Sequence, residues 1–332
     1  MVKRIILLCC GAVVISGATF LIGNSRTEKV FKEHRQADYH IFGIDVPKQM
    51  DFAGEPVPLN EYDVRERLDR ELNVNVYWQS STLLSIKRAN RYFPLIVPIL
   101  KKNGIPEDFK YLPLIESGFQ DAVSPSGAEG YWQFIPETGK KYGLEINKEV
   151  DDRYNIEKST EAACQYFIEA YQIFKNWTLV AASYNMGYDG LKKETDRQQV
   201  SSYYETHINQ QTGRYVFRML AMKEIMAHPS KYGFYYLKRQ LYYPIATEKT
   251  TVSDAIPDLV AWAFAHGINY KILHEYNPWL RTYSLTNSTK ETFTIEIPKD
   301  KNIIPGNIDD DTVPLSVTMP DRLADSVFQK ER

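Results

Sequence analysis

The sequence is poor in cysteine, and two of its three cysteines, Cys9 and Cys10, fall in the apolar N-terminal run. That leaves Cys164, which has no intramolecular partner, so any folded domain must be held by its core and not by disulfides. Its neighbours Ala162, Ala163, Tyr166 and Phe167 fit a small buried hydrophobe better than a reactive thiol. No Cys/His set has metal-ligand spacing, and the six histidines are scattered, so no metal and no cofactor is expected. There is no Gly-rich phosphate loop. Nor is there a basic excess: the formal net charge of −2 excludes the usual electrostatic signature of a nucleic-acid partner.

What is present begins at the N-terminus. Lys3 and Arg4 precede an apolar run from Ile5 to Gly23, closed by Asn24, Ser25 and Arg26. Positive charge before such a run marks export and keeps the N-terminus inside. The run just reaches spanning length, while Ser16, Gly17 and Ala18 offer small residues for signal-peptidase cleavage. Residues 1–23 are therefore read as a signal peptide or a membrane anchor, with a buried soluble helix as a third option. Lipoprotein processing at Cys9 or Cys10 fits poorly, because little apolar sequence precedes them and bulky Leu8 stands where a small residue is needed. The 43% hydrophobic and 25% charged content is that of a soluble globular domain. The 23 tyrosines suit sugar binding and polar-rimmed cores equally well.

Residues 24–59, with Pro47, Pro56 and Pro58, lack periodicity and read as a tether. From Asn60 onward the pattern is helical. Val64, Leu68 and Leu72 make one apolar face; a longer segment from Leu83 to Leu100 is expected to be interrupted at Pro94 and Pro98 and to stop at Gly104. A segment from Ile105 to Glu116 should stop at Gly118. The next helix is expected to be capped by Ser159 or Thr160; others span Leu179–Tyr184 and Arg214–Ala227. Residues 60–235 thus form a mainly α domain. Residues 245–300 read as a small α/β module, with helices over Asp258–His266 and Tyr270–Tyr276 and strand-like alternation at Phe293, Ile295 and Ile297. Residues 301–332 read as a disordered tail.

The chemistry concentrates between Ile115 and Gly139. Glu116 ends a helix just before a Ser-Gly loop. Half-buried among Ile115, Phe119 and Trp132, its carboxyl would stay protonated towards neutral pH and could protonate a glycosidic oxygen. From spacing alone, a helix-end carboxylate serving only local hydrogen bonds is the favoured reading of the same residue. Gly127, Ala128 and Gly130 allow tight turns and close approach of a bulky ligand. Gln133 offers a donor and an acceptor to a sugar hydroxyl or acetamido group. Trp132 is a core plug more readily than a stacking platform. Tyr184 and Asn185 close the helix of Ala181–Gly187; the Tyr184 phenol could reach Glu116 or a ligand, and Asn185 before glycine could be merely a helix stop.

Together these blocks resemble the lytic transglycosylases, and within them the membrane-bound murein transglycosylase D group. The matching blocks are Glu116-Ser117-Gly118-Phe119, the run Ser124–Gly139, Asp151-Asp152-Arg153 followed by Ser159-Thr160, and Ala182-Ser183-Tyr184-Asn185-Met186-Gly187. They come in the family's order over about residues 75–230. Gln120 and Ser183 depart from its commoner residues. The resemblance implies a lysozyme-like helical catalytic domain at 60–235. It implies cleavage of the β-1,4 bond between N-acetylmuramic acid and N-acetylglucosamine in peptidoglycan, with closure to a 1,6-anhydro sugar. It assigns Glu116 as general acid and base. Ser124, Gln133, Tyr184 and Asn185 become substrate-binding or orienting residues. The expected partner is the peptidoglycan glycan strand, in the periplasm, with the membrane joined through residues 1–23 if they are retained. Residues 245–300 loosely resemble a degenerate LysM-like module, beside the plainer reading of a packing cap. A lysozyme-type hydrolase and an inactive peptidoglycan-binding scaffold are the competing functions.

Overall fold

The computed structural model describes residues 41–299 except 289. The expected signal or anchor at 1–23 and the expected disordered tail at 301–332 lie outside them. Among the described residues no helix is long and apolar enough to cross a membrane.

Residues 41–59 are not a tether. A short antiparallel hairpin, β1 (Asp51–Phe52) and β2 (Glu55–Pro56), turns through Ala53 and Gly54 at positive φ. It buries Phe52 completely, with Val46, Val57 and Leu59 close behind. The Phe52 ring meets Phe109 at 5.6 Å between centroids. Polar ties hold the turn down: Ala53 N–H donates to Asp108 Oδ2 at 2.6 Å, and Lys223 Nζ bridges Asp108 (2.7 Å) and the Asp51 carbonyl (2.9 Å). The Glu55 carboxylate crosses to another element, accepting from the N–H groups of Trp177 (2.5 Å) and Thr178 (2.9 Å). An anion at that point satisfies orphan donors at a helix start and meets the positive end of its dipole. The prolines that suggest a linker sit between these anchors. What distinguishes the segment is apolar residues spaced too irregularly for either period.

The helical domain follows. Helix α1 (Tyr62–Tyr77) buries Val64, Leu68 and Leu72, the expected face. Helix α2 (Gln79–Lys102) runs on through Pro94 and Pro98 without interruption. Each proline costs a helix interior about 3 kcal/mol. Here Pro98 is exposed, and the opposite stripe of Ile86, Ala89, Phe93, Ile96 and Leu100 is buried against the core, which outweighs that cost. Gly104, at φ +70°, ends the segment as expected. A 3-10 turn (Glu107–Lys110) leads into α3 (Tyr111–Ser117), stopped at Gly118 in the left-handed region. After α4 (Pro136–Lys141) comes α5 (Ile156–Phe174). Neither Ser159 nor Thr160 caps α5. Both are buried one turn inside it, with hydroxyls turned back to the carbonyls of Asn155 and Ile156, and the cap is Asn155, accepting from Glu157 and Lys158 N–H. Helix α6 (Trp177–Met186) extends the expected segment at both ends. Helix α7 (Tyr188–Gln198) is strongly polar, which is why the apolar pattern misses it. Helix α8 (Gln210–Ala227) begins four residues before Arg214, under an Asn209 cap. It packs against α1, α3 and α6 and is the central element of the domain.

The C-terminal module pairs β3 (Thr247–Val252) with β4 (Phe293–Pro298), antiparallel, from Thr247↔Pro298 to Val252↔Phe293. Only β4 alternates in hydrophobicity, so only β4 is visible in the pattern. Helices α9 (Leu259–Ala265) and α10 (Tyr270–Tyr276) match their expected positions. The module's own core, around Leu259, Leu273, Trp279 and Ile295, also takes in Val150 and Tyr154 of the helical domain. Backbone bonds cross the join: Asp151 N–H donates to Trp279 (2.9 Å) and Arg281 N–H to Glu149 (2.8 Å).

The hairpin's role can be measured. Phe52→Ala should lower the free energy of unfolding by about 3–5 kcal/mol in denaturant titration. A tether residue would cost nothing.

Candidate active site

Glu116 sits in the last turn of α3, half-buried, where Gly118 at φ +58° turns the chain out of the helix. Helix α3 is otherwise buried on nearly every side, so Glu116 is a carboxyl carried into the core on an apolar element. Its Oε1 accepts a hydrogen bond from the Tyr215 phenol of α8. One turn further along α8, Arg218 Nη2 donates to the Ile115 carbonyl at 2.6 Å, which brings its charge beside Glu116. Burial pushes the Glu116 carboxyl above its ordinary pKa, against the opposing pulls of the Tyr215 hydrogen bond and the Arg218 charge. Tyr215 is fully buried and held as neutral phenol by desolvation and by the Glu116 charge. The phenol is therefore a fixed donor to the carboxylate.

The loop after α3 forms the second wall. Ser124 organises its turn: its N–H donates to the Ala128 carbonyl, while its Oγ accepts from Ala128 N–H, each at 2.9 Å. The amide nitrogen of Gln133 donates to the carbonyls of Ala122 and Gly130, both at 2.9 Å, leaving its carbonyl oxygen for other partners. Arg153, itself buried, ties the loop's two ends through Gly127 (3.0 Å) and Phe134 (3.2 Å) while its guanidinium pairs with Asp151 at 2.7 Å. Gly130 is obligatory here, since a Cβ would lie 2.0 Å from the Arg153 carbonyl oxygen. Glu129 is committed to Tyr154 (2.8 Å) and Arg153 (3.3 Å).

Trp132 is completely buried and donates to Thr160 Oγ1 at 2.9 Å, which makes it a core residue. The Tyr184 phenol donates to the Trp132 carbonyl at 2.8 Å and so does not bond Glu116, although it feels the Glu116 charge. Asn185 Oδ1 accepts from Thr212 Oγ1 at 2.9 Å, joining the end of α6 to the start of α8. Glu116, Tyr184 and Tyr215 thus converge, with Asn185 linked through Thr212. Ser124 and Gln133 shape the loop above. Sequence reasoning missed Tyr215 and Arg218, because a tyrosine leading into Val216-Phe217 and Met219-Leu220 reads as core and the arginine between them as a solvated charge. Cys164 is buried, and its thiol is pushed up to about 12 by desolvation. Among the described residues no His/Cys/Asp/Glu group could hold a metal ion.

Comparison with known proteins places these residues in context. Residues 95–206 match the family model described as Transglycosylase SLT domain, and residues 248–301 that of the soluble lytic transglycosylase C-terminal LysM-like domain. The chain therefore carries a lysozyme-like SLT domain followed by a LysM-like domain, and that LysM-like domain also packs on its neighbour. Two relatives called membrane-bound lytic murein transglycosylase D, from Escherichia coli K12 and from E. coli O6:H1, are each 32% identical over 183 residues. The match takes 53% of this chain and 39% of each relative, so it spans well under half of their length. A solved structure of an inactive mutant of lytic transglycosylase Slt from Pseudomonas aeruginosa aligns over 45% of this chain and 26% of its own. Its identity is 20% and its TM-score 0.30.

The Glu116–Tyr215 contact yields a directional test. The phenol favours the charged carboxylate, so Tyr215→Phe should raise the Glu116 pKa further and move the high-pH limb of any Glu116-dependent activity upward. A hydrogen bond to a charged group contributes about 1.5–3 kcal/mol, so the limb should move by about 1–2 pH units in a pH–rate profile.

Proposed function

We propose that this chain is a peptidoglycan lytic transglycosylase that cleaves the bond between N-acetylmuramic acid and N-acetylglucosamine, with Glu116 as the single acid and base. The observation that carries the reading is a half-buried carboxyl at the end of α3, raised in pKa by burial, inside the SLT match. Burial, Tyr215 and Arg218 are the influences on its proton, and no second carboxylate is among them. Retaining glycosidases that use a nucleophile place two carboxyls about 5–5.5 Å apart. A carboxyl on whose proton no other carboxylate acts among the described residues suits a reaction in which the substrate supplies its own nucleophile.

In that reaction protonated Glu116 gives its proton to the glycosidic oxygen as the C1–O bond breaks. The muramyl acetamido group supports the positive charge at C1. The Glu116 carboxylate, steadied by Tyr215 and Arg218, then takes the proton of the muramyl 6-hydroxyl as that oxygen bonds to C1. The products are a 1,6-anhydro end and a free 4-hydroxyl, and no water is consumed. The Gln133 carbonyl oxygen is left to accept from an acetamido N–H, and the Asn185 amide to donate to a sugar oxygen. Tyr184 and Ser124 hold the two walls in register. The setting is the cell envelope, on glycan strands in the periplasm, with residues 1–23 as cleaved signal or anchor.

Mass spectrometry of muropeptides released by the wild-type chain and by Glu116→Gln tests this directly. Anhydro-muropeptides from wild type, with a rate about 10²–10⁴-fold lower in the variant, are expected. Reducing-end products would make the enzyme a lysozyme-type hydrolase, and release unaffected by the variant would leave a binding scaffold. The wild-type rate should fall as pH rises through the Glu116 pKa, because only the protonated acid can start the reaction. Stability follows the same sign. A carboxyl raised in the folded state contributes stability at low pH that is lost as pH rises through its folded pKa. Glu116→Gln should therefore melt above wild type in alkaline buffer, with the gap narrowing in acid.

A further inference from the structure

The side-chain amide of Asn185 can face a ligand either way round, as donor or as acceptor. The start of α8 decides which. A backbone N–H can only donate, so the fixed point is the N–H of Thr212, which donates to Asn209 Oδ1 at 2.9 Å. Asn209 is the cap of α8, and with its oxygen held there its Nδ2 faces the Thr212 hydroxyl, to which it donates at 3.1 Å. A hydroxyl has a single proton to give. Having accepted from Asn209, Thr212 Oγ1 directs that proton to Asn185 Oδ1 at 2.9 Å. Asn185 therefore commits its oxygen to Thr212. Its Nδ2, which has no hydrogen-bond partner among the described residues, is the group left for a ligand.

Thr212 is firmly held in this role. It is completely buried, and its carbonyl accepts from the Tyr203 phenol at 3.0 Å. One turn along the same face of α8 stands Tyr215, whose phenol holds Glu116. Helix side chains at that spacing lie about 5–6 Å apart at Cβ. A single helix face thus holds the acid and the amide donor side by side. We infer that Asn209 and Thr212 are positioning residues that lock Asn185 as a hydrogen-bond donor, so that the site selects a sugar presenting an acceptor oxygen beside the scissile bond. The inference rests on the peptidoglycan reading above and adds to it two residues that act only through Asn185.

Asn209→Asp separates this role from a merely structural one. Aspartate caps a helix about as well as asparagine and complements its dipole, so the melting temperature should not fall. Its carboxylate cannot donate to Thr212, and it takes the hydroxyl proton more strongly than an amide oxygen does. The relay then runs backwards: Thr212 accepts from Asn185, whose oxygen turns to the ligand.

Steady-state turnover of soluble peptidoglycan strands by the full chain is the readout. Loss of the hydrogen bond to the sugar should raise KM about tenfold in Asn209→Asp and in Thr212→Val, with kcat nearly unchanged. Thr212→Ser keeps the hydroxyl and should restore wild-type KM. In an Asn185→Ala background, Asn209→Asp should change KM by less than about twofold, because the residue it acts through is gone. Wild-type KM in Asn209→Asp, equal KM for the two Thr212 variants, or an undiminished effect in the Asn185→Ala background would each overturn the inference. If wild type cleaves no peptidoglycan, the peptidoglycan reading fails first, and the relay is judged without activity. Exchange of the Asn185 side-chain amide protons with solvent, followed by NMR in the full chain with isotope-labelled asparagine, should be slower in Asn209→Asp, where Thr212 accepts one of them. Equal or faster exchange rejects the relay.

Discussion

Arg153 is the residue on which the site depends. Its guanidinium is buried, where a lone charge would be untenable, and it is compensated by a bidentate pairing with buried Asp151 and by two loop carbonyls. A buried ion pair of this kind is a poor source of net stability, since desolvation offsets most of the attraction. What it provides is a unique geometry. The loop carrying Ser124, Gly130 and Gln133 has few apolar anchors besides Trp132 and Phe134, and without the guanidinium its two ends would have no common partner. The same short stretch also docks the C-terminal module, because Asp151 N–H bonds Trp279 and Tyr154 joins the module's core. Loop, helical domain and module therefore meet within the four residues 151–154.

Against that rigid loop, Glu116 is placed by hydrophobic means. Helix α3 is too short to be stable alone and exists because Leu112, Leu114 and Ile115 are buried. The helix delivers a carboxyl to the core, and burial raises its pKa. Tyr215 and Arg218 then moderate the penalty so that the charged form remains reachable. Those opposing influences fit a group that must hold a proton at one step and accept one at the next.

Much of this was legible in the sequence, for physical reasons. Where a helix packs one apolar stripe against the core, as in α1 and α5, the 3.6-residue period shows it. Glycines at Gly104 and Gly118 mark stops because only glycine tolerates the left-handed turn cheaply. The failures are equally instructive. Pro94 and Pro98 argue for a break in α2, yet tertiary burial overrides propensity. Residues 41–59 hide their folded state because the hairpin is held by single anchors, Phe52 and Glu55, whose partners lie more than fifty residues away. Helix α7 and strand β3 are too polar to declare themselves. At the site, Glu116 and the Asp151-Asp152-Arg153 block stand out through their motifs, whereas Tyr215 is camouflaged by apolar neighbours and the buried, loop-tying role of Arg153 by its charge. Residues whose meaning depends on a distant partner are those a linear pattern cannot reveal.

The shared core around Val150, Tyr154 and Trp279 fixes how the LysM-like module sits on the helical domain. A module on a flexible leash raises local concentration and lets its enzyme graze over a wide area of wall. One fused by backbone hydrogen bonds and a common core cannot swing. Under the proposed function, a polymer held by the module would reach Glu116 at one distance and one angle, so the pair would work as a ruler, with the position of the cut relative to the grip set by the fold.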